Sequence, residues 1–212
     1  MSELPPELLR RQDESADELF YVQPRLLAHI DDDAIAALGG FLREVIPDNA
    51  EVLDLMSASV SHLPDDVRAR CKRVAGLGMN KEEMAANQQL SEHVVHNLNC
   101  EPRVPYDDAC FDVALCTVSV QYLLRPIDVF REVGRVLRAG GPFVVSFSNR
   151  CFPTKAIAAW LYSDDSGHAA LVCAYFERSG CWRDITVSDL SPNPGRTDPL
   201  YAVWARGVDR RG

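Results

Sequence analysis

The chain has 212 residues, 47% of them hydrophobic, and a formal net charge of −9 at pH 7. This length and apolar content suit one domain with a full core. The negative charge, without any long basic stretch, argues against a nucleic-acid substrate. No run approaches the roughly 18 apolar residues of a membrane span, and the acidic first segment lacks the pattern of a signal peptide, so we expect a cytoplasmic protein without a membrane partner.

Seven cysteines are scattered along the sequence, without a C-x-x-C or zinc-ligand spacing. We therefore predict reduced thiols. His93 and His96 would share a face only in a helix, whereas the two valines between them favour a strand. We accordingly predict no metal site.

Apolar runs of strand length alternate with amphipathic segments of helix length, and no internal repeat or low-complexity tract is present. We predict strands over 51–55, 73–79, 92–99, 111–117, 143–147, 182–190 and 200–206. We predict helices over 34–45, 81–90, 126–137, 153–162 and 167–178.

Local signals support two of the helix starts. The acids at 31–33 favour the N-terminus of the first helix. Asn80 and Glu83 have the spacing of a capping box for the second helix. Within the first helix, the pair Gly39 and Gly40 lowers helix propensity and predicts a bend or a close packing contact.

This order of elements predicts an α/β fold with a Rossmann-like, doubly wound, mostly parallel sheet of about seven strands that ends in an antiparallel pair. We assign residues 34–212 to a single domain and residues 1–33 to an N-terminal leader. Within the leader, residues 20–25 either close over the site as a lid or pack on the surface. Ligands of such sheets bind at the carboxyl ends of the strands.

Two segments have a more specific sequence. Residues 104–114 read VPYDDACFDVA, a proline-aromatic turn before a Phe-Asp strand, and residues 130–141 read FREVGRVLRAGG, a helix closed by glycines. With the order of elements between 52 and 149, they resemble the small-molecule, type 11-like branch of the class I S-adenosylmethionine-dependent methyltransferases. The resemblance implies S-adenosylmethionine as cofactor and a small-molecule or other non-nucleic-acid acceptor.

The loop after the first strand departs from that family. There the strand ends in an acid followed by Gly-x-Gly-x-Gly, and Asp54 matches the acid. The glycines align with Met56, Ala58 and Val60, each of which carries a Cβ that disfavours left-handed backbone conformations. Either the loop takes another path, with the hydroxyl of Ser57 and its neighbours supplying polar contacts, or cofactor binding is lost.

Further cofactor positions follow from the resemblance. Gly78, Met79 and Asn80 stand where the family places an acid that binds the ribose hydroxyls, although Asn80 also reads as a plain helix cap. Asn99 stands where an acid accepts from the adenine amino group. The residues that flank the adenine and methionine ends align with Thr117 and Val118.

The sequence indicates the residues that contact the methyl acceptor less clearly. His62, just beyond the serine-rich loop, is the predicted general base, although it also reads as a histidine with local hydrogen bonds. We assign acceptor contacts to four residues at the predicted strand ends and in the leader: Tyr21, Gln121, Tyr122 and Asn149. Tyr122 equally fits a place in the core.

Three functions follow from these patterns. The first is S-adenosylmethionine-dependent methyl transfer. The second is a non-catalytic, methyltransferase-like binding or interaction protein that has lost normal cofactor binding. A nicotinamide-dependent oxidoreductase is disfavoured, because no G-x-G-x-x-G opens the first helix after the first strand.

Overall fold

The computed structural model describes residues 4–208. One sheet contains β1 (Glu51–Leu55), β2 (Arg73–Gly78), β3 (Glu92–Val95), β4 (Val113–Thr117), β5 (Pro142–Phe147), β6 (Trp182–Asp189) and β7 (Tyr201–Gly207), in the spatial order β3-β2-β1-β4-β5-β7-β6. The helices are α1 (Asp17–Tyr21), α2 (Asp32–Val45), α3 (Asp65–Arg70), α4 (Lys81–Ala86), α5 (Pro126–Val136), α6 (Ala158–Leu161) and α7 (Asp165–Ser179). Short 3-10 helices cover Pro6–Leu9 and Val120–Tyr122.

The sheet has the predicted topology. Strands β1 to β5 pair in parallel, and β7 pairs antiparallel with both β5 and β6. The strand order reverses between β1 and β4, which is the position where open sheets of this kind bind ligands. The predicted fold class is confirmed.

The core has two clusters, one for each face of the sheet. Leu53 and Leu55 of β1 belong to one cluster, whereas Val52 belongs to the other, as expected from the alternation of side chains along a strand. The first cluster includes buried residues of α5 and α7, and the second includes buried residues of α2 and α3. Helices therefore cover both faces, and no helix among residues 4–208 has the length and apolar content to cross a membrane.

Several predicted boundaries were wrong. The helix predicted over 81–90 ends at Ala86, because Asn87 leaves the helix and its side-chain amide donates to the carbonyl oxygen of Ala58 (3.0 Å) and to Ser61 Oγ (2.9 Å). The strand predicted over 92–99 ends at Val95. Of the helix predicted over 153–162, only α6 forms, and the short helices α1 and α3 were not predicted.

The two glycines in α2 have different environments, so adding a methyl group should change the free energy of unfolding differently at each position. A Cβ at Gly40 meets nothing within 4 Å, whereas a Cβ at Gly39 lies 2.9 Å from Cγ of Pro64. Gly40→Ala should raise the free energy of unfolding by about 1 kcal/mol through helix propensity. Gly39→Ala, the matched variant, should give a smaller gain or a loss in chemical denaturation; equal gains at both positions would contradict this packing.

Candidate functional site

A cleft of about 500 Å³ opens at the carboxyl ends of β1, β2 and β4. The leader, including Tyr21 and Arg25, forms part of its wall. Its volume is in the range of small-molecule sites. The cleft therefore lies where the topology predicts a ligand.

Most of the residues predicted from the sequence meet in this cleft. Those that line it are Tyr21, Asp54, Met56, Ser57, Ala58, His62, Gly78, Met79, Asn80, Asn99, Thr117, Val118 and Tyr122. Two predicted acceptor residues do not. Gln121 is fully buried outside the cleft, with Nε2 donating to the carbonyl oxygen of Val118 (3.0 Å), and Asn149 is exposed after β5.

The loop after β1 folds around the buried carboxylate of Asp54, a residue of β1 itself. One of its oxygens accepts hydrogen bonds from Ser57 Oγ (2.6 Å) and Ser61 Oγ (2.7 Å). Burial raises the pKa of Asp54 to about 6, although the two hydroxyls act in the opposite direction. The serines of the loop thus bind the strand-end acid and close the loop on itself.

The loop also packs tightly on β2. The backbone N–H of Ser57 donates to the carbonyl oxygen of Leu77 (2.9 Å), and the Ser57 carbonyl oxygen lies 2.1 Å from where a Cβ on Gly78 would be. The sequence resemblance placed Gly78 at the ribose position of the family. The structure shows instead that the loop backbone itself requires this glycine.

Three non-glycine residues around the cleft have positive φ: Met56 (55°), His62 (56°) and Val118 (50°). Left-handed conformations are strained for residues with a Cβ, most of all for a β-branched valine. Met56 aligns with the first family glycine, so the chain keeps a left-handed turn there without the glycine. Ala58 and Val60, at the other two glycine positions, do not have positive φ.

His62 lies in the cleft with 8% of its surface exposed, and its Nδ1 has no hydrogen-bond partner among residues 4–208. Burial, and to a lesser degree the nearby His29, lower its pKa to about 4. The imidazole is therefore neutral at pH 7. A neutral imidazole is able to accept a proton, but a low pKa makes it a weak base.

The two asparagines predicted to contact ribose and adenine are already engaged within the protein. Asn80 Oδ1 caps α4 through the N–H groups of Glu82 and Glu83, and its amide nitrogen donates to the carbonyl oxygens of Tyr21 (2.8 Å) and Val22 (3.3 Å). The structure thus favours the helix-cap interpretation of Asn80.

Asn99 joins the cleft to the leader. Its Oδ1 accepts from the N–H of Leu124 (2.7 Å), and its amide nitrogen donates to Asp17 Oδ2 (2.8 Å) and to the carbonyl oxygen of Tyr122 (3.0 Å). The acceptor that the sequence assigned to adenine is therefore shared with a backbone amide.

The leader is anchored by buried charges. Lys155, which is fully buried, donates to the carbonyl oxygen of Ser15 (2.7 Å) and forms ion pairs with Asp13 (3.2 Å) and Asp17 (3.5 Å). Asp17 also pairs with Arg11 at 2.6 Å. Because a buried ion pair is costly to break, this segment is a fixed wall of the cleft in the structure.

Sequence reasoning assigned no ligand-binding role to several cleft residues. Glu83 was predicted as a capping-box partner, but its Oε1 accepts from the backbone N–H of Arg25 (2.6 Å). Burial raises the pKa of this carboxyl above its usual value. Phe152 and His29, whose rings are 5.4 Å apart, also line the cleft. No sequence motif marks these residues as ligand contacts, because tertiary folding brings them together from distant positions. Within residues 4–208, no group of three or more acidic, histidine or cysteine side chains has a metal-binding arrangement.

Part of the chain is similar in sequence to known methyltransferases. A family profile described as "Methyltransferase domain" matches residues 55–145. A malonyl-(acyl-carrier protein) O-methyltransferase from Marinomonas sp. (strain MWYL1) is 26% identical over 144 residues, which cover 66% of this chain. The match spans about half of that relative, 52% of its length.

Solved structures share the fold. An S-adenosylmethionine-dependent methyltransferase from Aquifex aeolicus superposes with a TM-score of 0.60 at 14% identity, covering 97% of this chain and 100% of the other. The cyclase SpnF superposes with a TM-score of 0.60 at 15% identity, covering 81% and 80%. The profile match over residues 55–145 and the shared fold support the resemblance to the class I S-adenosylmethionine-dependent methyltransferases that the sequence predicted.

The left-handed turn at Met56 predicts that a glycine there is favoured over alanine. Met56→Gly and Met56→Ala both remove the long side chain and differ only in the Cβ. The glycine variant should be more stable by about 1 kcal/mol, because only glycine reaches positive φ without strain.

The matched comparison is Ala58, which is not left-handed. Ala58→Gly should leave stability unchanged or lower it, through the greater backbone entropy of glycine in the unfolded chain. The free energies of unfolding come from urea titrations. A Met56→Gly protein no more stable than Met56→Ala would show that the loop does not take this path in solution.

Proposed function

We propose that this protein transfers a methyl group from S-adenosylmethionine to a small molecule or another non-nucleic-acid acceptor. The observation that supports this most is the convergence of the strand-end residues predicted for the cofactor on one cleft, at the carboxyl ends of β1, β2 and β4. Methyl transfer is chiefly a matter of positioning the two reactants, so a site without a covalent nucleophile is consistent with it.

The residues present are compatible with the cofactor. Met56 and Ser57 carry the loop that would face its methionine end, and Thr117 and Val118 would flank the base. The side chain of Asn80 is used by the α4 cap, so we propose that Glu83 supplies the carboxylate for the ribose hydroxyls. Glu83 lines the cleft and is 7% exposed, and a carboxylate has capacity for further hydrogen bonds beside the one from Arg25.

Bound there, the cofactor would supply a methyl group on a sulfonium centre. Tyr122 lines the cleft and its hydroxyl accepts from the N–H of Phe152 (2.8 Å), which fixes the ring; we propose that it orients the acceptor. His62 remains the proposed base. Its lowered pKa favours acceptors that lose their proton readily.

A second function, binding without methyl transfer, has specific support. Asp54, Asn80 and Asn99 use their side chains within the protein, so fewer polar groups face a ligand than the family pattern would provide. A cyclase shares this fold, and a fold by itself does not fix the chemistry of its site.

Ligand-induced stabilisation separates methyl transfer from the alternative of a methyltransferase-like protein that has lost cofactor binding. S-adenosylmethionine and S-adenosylhomocysteine should raise the melting temperature, since a ligand at 100 times its Kd stabilises by roughly 2.7 kcal/mol, whereas NAD should not. Absence of a shift with millimolar concentrations of both adenosyl ligands would overturn the proposed methyl transfer.

The role of Glu83 has its own test. Glu83→Gln should weaken S-adenosylhomocysteine binding about tenfold, since a hydrogen bond to a charged group contributes roughly 1.5 kcal/mol or more. Glu82→Gln removes the same charge from the exposed neighbouring position and is the control, with little expected change. Calorimetric titration measures both affinities, and equal affinities for the two variants would rule out the assignment of Glu83.

A further inference from the structure

Arg25 is the cationic side chain of the cleft that forms no ion pair within residues 4–208. Two arginines line the cleft among the described residues. Arg150 is paired with Asp198 at 2.9 Å, whereas Arg25 forms no ion pair within residues 4–208. Its guanidinium donates one hydrogen bond, from Nη2 to the carbonyl oxygen of Phe20 (3.1 Å). A guanidinium has five N–H donors, so most of its capacity is open to a ligand.

None of the carboxylates that line the cleft forms an ion pair with the Arg25 guanidinium within residues 4–208, although the positive charge of Arg25 acts on the nearby Glu83 and lowers its pKa against the effect of burial. Asp17 binds Arg11 and Asn99, Asp54 binds two serines, and Glu83 binds a backbone N–H. Asp198 binds Arg150, and Asp31 accepts from the backbone N–H groups of Ala34 and Asp198.

Arg25 is also held in a defined position. Its guanidinium carbon lies 4.6 Å from the ring centre of Phe20 and 5.0 Å from that of Phe152. Its backbone N–H donates to Glu83, and its carbonyl oxygen accepts from Ser59 Oγ (3.3 Å). Aromatic rings hold a guanidinium by its face and leave its edge, where the N–H donors lie, available to a planar acceptor.

We propose that Arg25 is the carboxylate-binding residue of this cleft, and that the ligand presents a carboxylate to it. This inference rests on the proposed function and names its acceptor class: the carboxylate belongs to a carboxylic-acid acceptor. The bidentate match of guanidinium and carboxylate explains why an arginine without an ion-pair partner lies in a ligand cleft.

A carboxylic-acid acceptor would also agree with the lowered pKa of His62, which makes this residue a weak base. When a carboxylate oxygen is methylated, its bond to the methyl carbon forms as the methyl–sulfur bond breaks, with the electron pair remaining on sulfur. The products are a neutral methyl ester and a thioether, and no proton is released. Such an acceptor requires no base at pH 7, so the base role proposed for His62 applies only to acceptors that carry a proton, and its lowered pKa agrees with an acceptor that does not need it.

Calorimetric titrations of the full chain with matched ligands test the proposal. Benzoate and benzamide differ in the carboxylate of an acceptor-like ring. S-adenosylhomocysteine and 5′-methylthioadenosine differ in the amino-acid end of the cofactor product. Arg25→Gln should weaken benzoate about tenfold or more and leave the affinities for benzamide, S-adenosylhomocysteine and 5′-methylthioadenosine unchanged. Arg25→Lys should recover part of the loss, and Arg150→Gln should change each affinity less than about twofold because its charge is already paired.

The pattern of loss identifies the source of the carboxylate. Loss of benzoate affinity alone supports the proposal. Loss of S-adenosylhomocysteine affinity, with or without loss of benzoate affinity, overturns it, because Arg25 would then hold the methionine end of the cofactor. Unchanged affinity for both ligands overturns it, as does a native protein that binds neither. Binding of 5′-methylthioadenosine by Arg25→Gln shows that the variant is folded. If the native protein binds no adenosyl ligand, the proposed methyl transfer fails while the benzoate comparison still decides the role of Arg25.

Discussion

The hydrogen bonds between the buried carboxylate of Asp54 and the hydroxyls of Ser57 and Ser61 organise the ligand end of the sheet. A desolvated carboxylate is costly unless it is satisfied, and here the partners come from its own loop. The loop path that results places Met56 in a left-handed turn and brings the Ser57 backbone against Gly78. Ser61 in turn accepts from Asn87, which ends α4 early. One buried charge thereby fixes the loop, the adjoining strand and the following helix.

The leader completes the cleft from the other side. The buried ion pair of Lys155 with Asp17 holds it to the domain, and Asn80 and Asn99 bind the carbonyl oxygen of Tyr21 and the side chain of Asp17. Asn80 and Asn99, which align with the family's ribose and adenine contacts, thus bind the leader, which forms a wall of the cleft. That wall carries Arg25 and faces Glu83, so the charged groups available to a ligand come from the leader and α4. They do not come from the strand ends that the family pattern indicates.

The sequence predicted the fold well because buried parallel strands and amphipathic helices have strong, different periods. It predicted the cleft residues at β1, β2 and β4 because topology alone brings the ends of parallel strands together. The sequence did not predict that Gln121 is buried outside the cleft, because the position of its side chain depends on the 3-10 helix after β4. Lys155 has no distinctive sequence context, and the capping-box spacing of Glu83 indicates a helix start and no ligand role; the roles of both residues depend on contacts with the leader. The end of α4 was missed because a tertiary hydrogen bond of Asn87 overrides local helix propensity.

The most direct test of the Asp54-centred loop is the pH dependence of stability. Its folded pKa, about 6, is raised above its usual value of 3.8, so the folded state retains a proton that the unfolded state loses. The contribution of this group to stability is therefore fully present below about pH 4 and is lost as the pH rises through 6. Between pH 4.5 and 7.5, the free energy of unfolding of the native protein should fall by about 2 kcal/mol relative to Asp54→Asn. Urea titrations at the two pH values measure this difference, and a difference that stays constant would show that Asp54 is not a buried, serine-bound carboxyl.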